Sequence, residues 1–524
     1  MGKTGGIKKE TWIALGIAVL FFVLNLLFLT KYPFVHSDES WLAGLTRNMM
    51  QSHSFAVTEP FFNLKIRYPH AIKLLFHLLQ MPFLSIFGYR IVSVRLLSLL
   101  AGSTGLFLFY RAGSALFQNE RKALLAMALL AADAEYICAS HLARQEIVIL
   151  AMMLACVGLL FRHADSFSIR SSVLLGVLTG LSVGIHPNSF MIACVCAGML
   201  LLRILVYHTA KWKHLLVYAA VTGLFALVFI GISYLFDPHF ISDYFAYGDR
   251  EFEVLAPAAD KFGALSGYFA KLYLRVSGTY YLPDVRLQFL LFPAALIACL
   301  VFAVRNRQRD AVLSQRAASL VAAVVMLIFA TAFIGRFSQL SVVFLFPFCW
   351  LAAVYALSLL GKAARRLLAV ALFVAVLTCS VCNIVPWLSA DSYDGYVSEV
   401  QSLIPQGSIT IGNLNAEFAF DCGSLLDYRN LAYLPDAGMS FSDYVDAYGV
   451  QYIMLTDELD LIYSTRPTWN ILYGNPMWVA QAEEYVKEHC EYVGSFTDNT
   501  YNVRIASYVN GTQDFSARVY RVVR

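Results

Sequence analysis

Charge is scarce in this chain: Asp, Glu, Lys and Arg make up 14% of its 524 residues, against 59% apolar. So little charge excludes a string of soluble domains and a disordered chain alike. The formal net charge of +4 is not gathered in one patch, which excludes a nucleic-acid binder. Cysteine gives no disulfide scaffold: eight of the ten lie inside apolar runs as small buried hydrophobes, and none has metal-ligand spacing to a histidine. Internal repeats and low-complexity tracts are missing. Residues 390–524 lack any GxGxxG, P-loop or HExxH pattern, so they give no direct sign of chemistry.

Long apolar runs are what the chain has. The first, near residues 12–29, follows Lys3, Lys8 and Lys9 and suffices to cross a ~30 Å hydrocarbon core. It leads into Lys31-Tyr32-Pro33 rather than a small-residue cleavage site, so it reads as a retained helix, not a signal peptide. Further runs lie near 91–110, 122–141, 145–161, 171–186, 189–206, 215–236, 287–304, 317–335, 340–360 and 367–387, giving about 11 transmembrane helices. The five connections expected on the cytoplasmic side carry Arg111/Arg121/Lys122, Arg162/Arg170, Arg203/Lys211/Lys213, Arg305/Arg307/Arg309/Arg316 and Lys362/Arg365/Arg366, as the positive-inside rule requires. The N-terminus is then cytoplasmic. The connections 32–90 and 237–286, and everything after residue 387, lie outside the cytoplasm.

Within 32–90, helical spacing over 41–50 and 71–87 predicts helices lying along the membrane surface. The tail changes grammar: Ser408–Gly412, Gln451–Thr456 and Val519–Val523 read as strands of a small α/β domain. Charge divides at the same place. Residues 1–389 carry 32 basic against 17 acidic side chains, residues 390–524 carry 7 against 18. The expected division is a membrane module over 1–389 and an extracytoplasmic α/β domain over 390–524, where Cys422 and Cys490 form a candidate disulfide in an oxidising compartment.

Ionisable groups near membrane depth are costly and therefore candidates for function. Asp38 and Glu39 follow the first span; they fit a general base or a metal-ligand pair, and Ser37 and Asp38 equally fit a helix N-cap. Asp133 and Glu135 run toward the same side as Arg144 and Glu146, which open the fourth span. His186-Pro187-Asn188 breaks the run between the fifth and sixth spans, and Arg336 precedes the tenth. Lys65, Arg67, Lys73, Arg90 and Arg95 add positive charge on that side, most of it expected to be surface charge.

The order of Asp38-Glu39, Tyr68-Pro69-His70, Arg95-Leu-Leu-Ser98, Ala143-Arg-Gln-Glu146, Gly180 through His186-Pro187, and Arg336 ahead of the apolar stretch to Pro347 resembles the GT-C superfamily. More narrowly it resembles bacterial relatives of protein O-mannosyltransferases and lipid A aminoarabinose transferases, in glycosyltransferase family 39. The resemblance covers about residues 10–360. It implies a GT-C fold in a cell membrane, bacterial inner or plasma membrane. It also implies a polyprenyl-phosphate-linked sugar as donor, with a glycan, protein or lipid acceptor. Asp38 matches the family's acidic residue, with Glu39 its neighbour, and Arg144, Arg336 and Arg95 are expected at the donor phosphate. Glu146, His186, Asp133 and His70 complete the candidate pocket. This chain departs from relatives in having His70 where they commonly carry Pro, and His186 where they often carry Lys. A divalent metal held by Asp38 and Glu39 is compatible with the pattern, which defines no ligand cluster and leaves metal dependence open.

Physics points the same way. A sugar on a polyprenyl phosphate cannot leave the bilayer, so its transferase needs an intramembrane body and an active site at one interface. Inverting transfer needs a carboxylate to take the acceptor proton and cations to steady the leaving phosphate. The alternative is a lipid or glycan transporter or flippase, which would be expected to show matching halves and charges at mid-membrane. A receptor or assembly protein using the acidic tail explains the tail but not Asp38, Asp133 and Arg144. The tail is expected to shape the acceptor entrance, and its net −11 to favour a cationic or neutral acceptor.

Overall fold

In the computed structural model, residues 8–252, 255–276, 278–335, 337–465, 472–475, 477–506, 509 and 513–523 are described. The chain opens with helix α1 (Lys9–Leu26), followed by α2 (Ser37–Ser52) and α3 (Leu74–Phe87), which fall where helices are expected within 32–90. The bundle continues through α4 (Ile91–Phe117), α5 (Glu120–Ala131), α6 (Ala134–His141), α7 (Glu146–Arg162), α8 (Ile169–Val183), α9 (Phe190–Leu205) and α10 (Trp212–Phe236). Helices α11 (Phe240–Phe252) and α12 (Ala258–Tyr273) fill the next connection, before α13 (Arg286–Asn306), α14 (Ala311–Ile334), α15 (Phe346–Ser358) and α16 (Lys362–Leu388).

Every predicted apolar run is helical, though helix length and composition alone do not confirm all eleven as crossings. Among the described residues eight helices are long and apolar enough to cross a membrane, or nine if α5 and α6, bent by 66°, make one broken span. Helices α7 and α8, with 17 and 15 residues, are shorter than the ~20 residues of a typical crossing. The shortfall has a local cause. Arg144 and Gln145 just ahead of α7, and His186-Pro187-Asn188 just beyond α8, line a cavity, so both helices stop at its floor. Small residues let α8 lie against α10: a Cβ on Gly176 would come within 2.7 Å of Val221, and one on Gly180 within 2.6 Å of Phe225.

The tail is a five-stranded sheet in the order β2-β1-β3-β5-β4, with β1 (Thr410–Gly412), β2 (Leu425–Asp427), β3 (Tyr452–Thr456), β4 (Cys490–Asp498) and β5 (Phe515–Val522). β1 pairs parallel with β2 and β3, and β5 pairs antiparallel with β3 and β4. Helices α17 (Tyr393–Leu403), α18 (Phe441–Ala447), α19 (Asp457–Thr465) and α20 (Trp478–His489) pack on it. The expected strands at 408–412, 451–456 and 519–523 correspond to β1, β3 and the end of β5. Strands β2 and β4 were not read from the sequence: β2 is three residues long with no β-branched residue, and β4 is largely exposed. Cys422 and Cys490 are both free thiols, so the candidate disulfide is not formed.

The tail does not hang apart from the bundle. One apolar core joins Phe34, Ala43, Phe61 and Val94 to tail residues such as Tyr393, Phe418 and Tyr428. Asn430 stitches the two bodies, its Oδ1 accepting the N–H groups of Asn63, Leu64 and Lys65 at 3.0, 3.2 and 3.3 Å while its Nδ2 donates to the Phe61 carbonyl at 2.9 Å. Arg47 of α2 pairs with buried Glu417 and donates to the Phe420 carbonyl at 2.7 Å. On the far side the Ala506 N–H donates to the Gly278 carbonyl at 2.9 Å. These ties set the tail over the end of the bundle where α2 begins.

Candidate active site

The start of α2 builds the site. The His36 imidazole caps the helix, Nδ1 accepting the Asp38 N–H at 3.0 Å, and Glu39 Oε1 accepts the His36 N–H at 2.9 Å. The cap is therefore His36, not Ser37 or Asp38, and the Asp38 carboxylate is released for other use. Because Nδ1 accepts, the neutral ring carries its proton on Nε2 and donates it to Thr279 Oγ1 at 2.9 Å. Burial pushes His36 down to about pKa 3, against the opposing pull of Asp38.

Adjacent in sequence, Asp38 and Glu39 part company in space. Glu39 is fully buried and clasped by Arg95, with Nε on Oε2 at 2.8 Å and Nη2 on Oε1 at 2.7 Å. Arg95 also donates to the carbonyls of Leu29 and Pro33 at 2.7 and 3.0 Å, and Glu39 Oε2 accepts the Ala143 N–H at 2.8 Å. The pair thus ties the α1–α2 connection to the turn ahead of α7. This corrects two expectations: Glu39 has no exposed oxygen with which to act as base, and Arg95 has no reach to a phosphate. It also sets Asp38, the neighbour of Glu39, against Arg144, the neighbour of Ala143.

Asp38 keeps 27% of its side chain exposed. Its Oδ2 receives Arg144 Nη1 and the Tyr280 hydroxyl, and Arg144 is held from behind by Glu146 at 3.2 Å. Tyr280 stacks on His36 with ring centroids 3.8 Å apart. Burial alone would raise the Asp38 carboxyl, but Arg144, the Tyr280 hydroxyl and Arg429 together hold it well below the usual carboxylate range. Asp38 is ionised at any physiological pH. Tyr280 is absent from the sequence reading, since nothing in Thr279-Tyr-Tyr281 distinguishes it from a packing aromatic.

Asp38 opens on a cavity of about 1050 Å³ between the bundle and the tail. Its basic lining is Lys65, Arg67, Lys73, Arg144, Lys271, Arg429 and Arg504, and among the described residues Asp38 is its one acid. Lys65, Arg67 and Lys73 were expected at the surface; the Asn430 stitch and the turn into α3 bring them inward. Arg67 is met by Glu59, at 3.0 and 3.1 Å, which burial would raise but Arg67 draws down to about pKa 2. His70 and His186 line the cavity, as expected of pocket candidates. Asp133 does not: it caps α6 at the α5–α6 bend, accepting the Glu135 N–H at 2.9 Å, and it receives Gln288 and Trp350 at 3.0 and 3.1 Å. Glu146 touches the site only through Arg144. Arg336 lies outside the described residues.

A metal shared by Asp38 and Glu39 does not fit this geometry, because the two carboxylates diverge and the Glu39 oxygens are taken by Arg95 and backbone N–H groups. Among the described residues no group of three or more His, Cys, Asp or Glu side chains is placed to hold a cation.

Residues 70–234 match the family model of dolichyl-phosphate-mannose-protein mannosyltransferases. The whole chain is similar in structure to ArnT from Cupriavidus metallidurans bound to undecaprenyl phosphate, with a TM-score of 0.56 and 11% identity over 98% of each chain. The chain has the GT-C fold. It is also similar to the apo oligosaccharyltransferase of Archaeoglobus fulgidus, with a TM-score of 0.55 and 15% identity over 92% of this chain and 72% of that one. No curated protein matches the chain in sequence. Like these GT-C structures, the chain is a multi-pass membrane protein.

The Asp38–Arg144 contact has a consequence in pH. In Arg144→Met, burial of Asp38 is still opposed by His36, Tyr280 and Arg429 but has lost the strongest of the groups that counter it, so the carboxyl titrates higher than in the wild type. Turnover carried by ionised Asp38 should then fall on the acid side at a pH where the wild type is still flat. A kcat–pH profile checks this, and coincident acid limbs would remove Arg144 as the group that holds Asp38 ionised.

Proposed function

We propose that the protein is a membrane glycosyltransferase that moves a sugar from a polyprenyl-phosphate donor to an acceptor at the outer face of the membrane, with inversion. The observation that carries this reading is the cavity itself, where seven basic side chains surround one ionised, partly exposed carboxylate at the end of an apolar bundle. Its likeness in fold to ArnT bound to undecaprenyl phosphate supports a lipid-phosphate donor. The basic residues Arg111, Arg121, Lys362 and Arg365 lie in the helix turns next to the connections at the other end of the bundle, which supports an extracytoplasmic tail and a cytoplasmic N-terminus.

In this reading the acceptor hydroxyl attacks the anomeric carbon opposite the phosphate. The new C–O bond forms as the C–O bond to phosphate breaks, the acceptor proton passes to Asp38, and the lipid phosphate leaves with the electron pair against Arg144 and the other cations of the cavity. Asp38 is a weak base, but a hydroxyl becomes strongly acidic as it bonds an oxocarbenium-like carbon, so ionisation and position matter more than basicity.

The test is to reconstitute the protein with a labelled polyprenyl-phosphate sugar in liposomes. Free polyprenyl phosphate together with a new glycosidic product, or slow hydrolysis to water, is expected. Movement of intact labelled lipid between leaflets with no bond broken would favour the transporter reading instead.

A further inference from the structure

The tail is acidic overall, yet the wall it turns toward the cavity is not. Of its seven Lys and Arg residues two, Arg429 and Arg504, line the cavity, and among the described residues no tail acid does. Net charge and local field therefore point in opposite directions, and it is the local field that a bound group meets.

Both guanidinium groups are held in place with donors unmet. Arg504 is only 6% exposed, and its Nε and Nη1 find no hydrogen-bond partner. The nearby carboxylate of Glu458 is already committed: Oε1 accepts the N–H groups of Arg504 and Ile505 at 2.6 and 3.1 Å, and Oε2 accepts the Tyr473 hydroxyl at 2.6 Å. Arg429 is anchored through Nε to Asp427 at 2.8 Å and lies over the Trp41 ring at 4.6 Å, while its Nη2 has no partner. A buried donor without an acceptor is costly, the more so when charged, so two such groups beside one cavity mark a place where an acceptor is meant to arrive.

Asp38 does not supply that acceptor: its Oδ2 is engaged by Arg144 and Tyr280, and neither of its oxygens bonds the unmet nitrogens of Arg429 and Arg504. Nor does the donor's single phosphate account for the tail wall. Its lipid must run toward the bilayer, which places the phosphate on the bundle side of the cavity, whereas Arg429 and Arg504 project from the sheet side.

We propose that Arg429 and Arg504 form a second anion subsite, which holds a phosphate or carboxylate carried by the acceptor and so presents the acceptor hydroxyl to Asp38. This rests on the glycosyltransferase reading, and it replaces the expectation of a cationic or neutral acceptor.

The experiment uses two probes on the full-length protein in detergent: undecaprenyl phosphate for the donor side and inorganic phosphate for the proposed subsite. Phosphate should bind to protein already saturated with undecaprenyl phosphate. Arg429→Gln and Arg504→Gln should each weaken phosphate binding about tenfold, the loss expected for one charge-assisted hydrogen bond, while changing the affinity for undecaprenyl phosphate less than twofold. Arg504→Lys, which keeps the charge, should retain part of the phosphate affinity, and unchanged melting curves show that each variant is folded. Strict competition between the two probes, or equal losses for both in the variants, would assign the arginines to the donor and overturn the proposal. Phosphate affinity unchanged in both Gln variants would overturn it as well. Failure of undecaprenyl phosphate to bind the wild type would instead strike the glycosyltransferase reading, separately from the phosphate arm.

Discussion

Asp38→Asn is expected to reduce turnover by about 10²-fold or more, the usual cost of losing a general base, while the protein folds and holds its donor. The geometry explains why folding should survive. Asparagine keeps an oxygen to accept from Arg144 and Tyr280, and Arg144 retains Glu146 on its other side at 3.2 Å. What asparagine loses is the ability to take a proton. Single-turnover rates with a polyprenyl-phosphate sugar, beside binding of undecaprenyl phosphate, separate the two effects. Should turnover be unchanged, no other described carboxylate lines the cavity to take over, and the proton would have to pass to His70 or His186.

Much of this site was readable before any coordinates, and what was not has identifiable causes. Asp38 and Arg144 stand out as charges in an apolar chain. Adjacent acids invite reading as a pair, but successive helical residues point about 100° apart, so only one of Asp38 and Glu39 can face a given cavity. Asp133 looked like surplus charge because a bent span is invisible in hydropathy; the carboxylate caps the bend. Tyr280 carries no signal, since its partner Asp38 is 242 residues away in the chain. The tail arginines were hidden by the tail's own acidity, because composition averages over surfaces that the fold keeps apart. The bundle was legible run by run, and the two runs that length alone does not confirm as crossings, α7 and α8, are those whose ends border the cavity.

Breaking the Glu39–Arg95 pair should produce the largest loss of stability. Both side chains are fully buried, so Glu39→Gln or Arg95→Met leaves an uncompensated charge in the interior, a change that costs about 3–5 kcal/mol. A double replacement by apolar residues of similar size, Glu39→Met with Arg95→Met, removes both charges and should recover much of that loss. Activity should not return with it. Glu39 also accepts the backbone N–H groups of His36 and Ala143, the links that hold the start of α2 against the turn carrying Arg144. Without them Asp38 and Arg144 lose their common register, and displacements of about 1 Å at a reacting centre can cost 10²-fold in rate. Thermal melts alongside turnover measure both quantities. A double variant that is stable and fully active would show that the buried pair serves only the fold, and that Asp38 and Arg144 find each other without it.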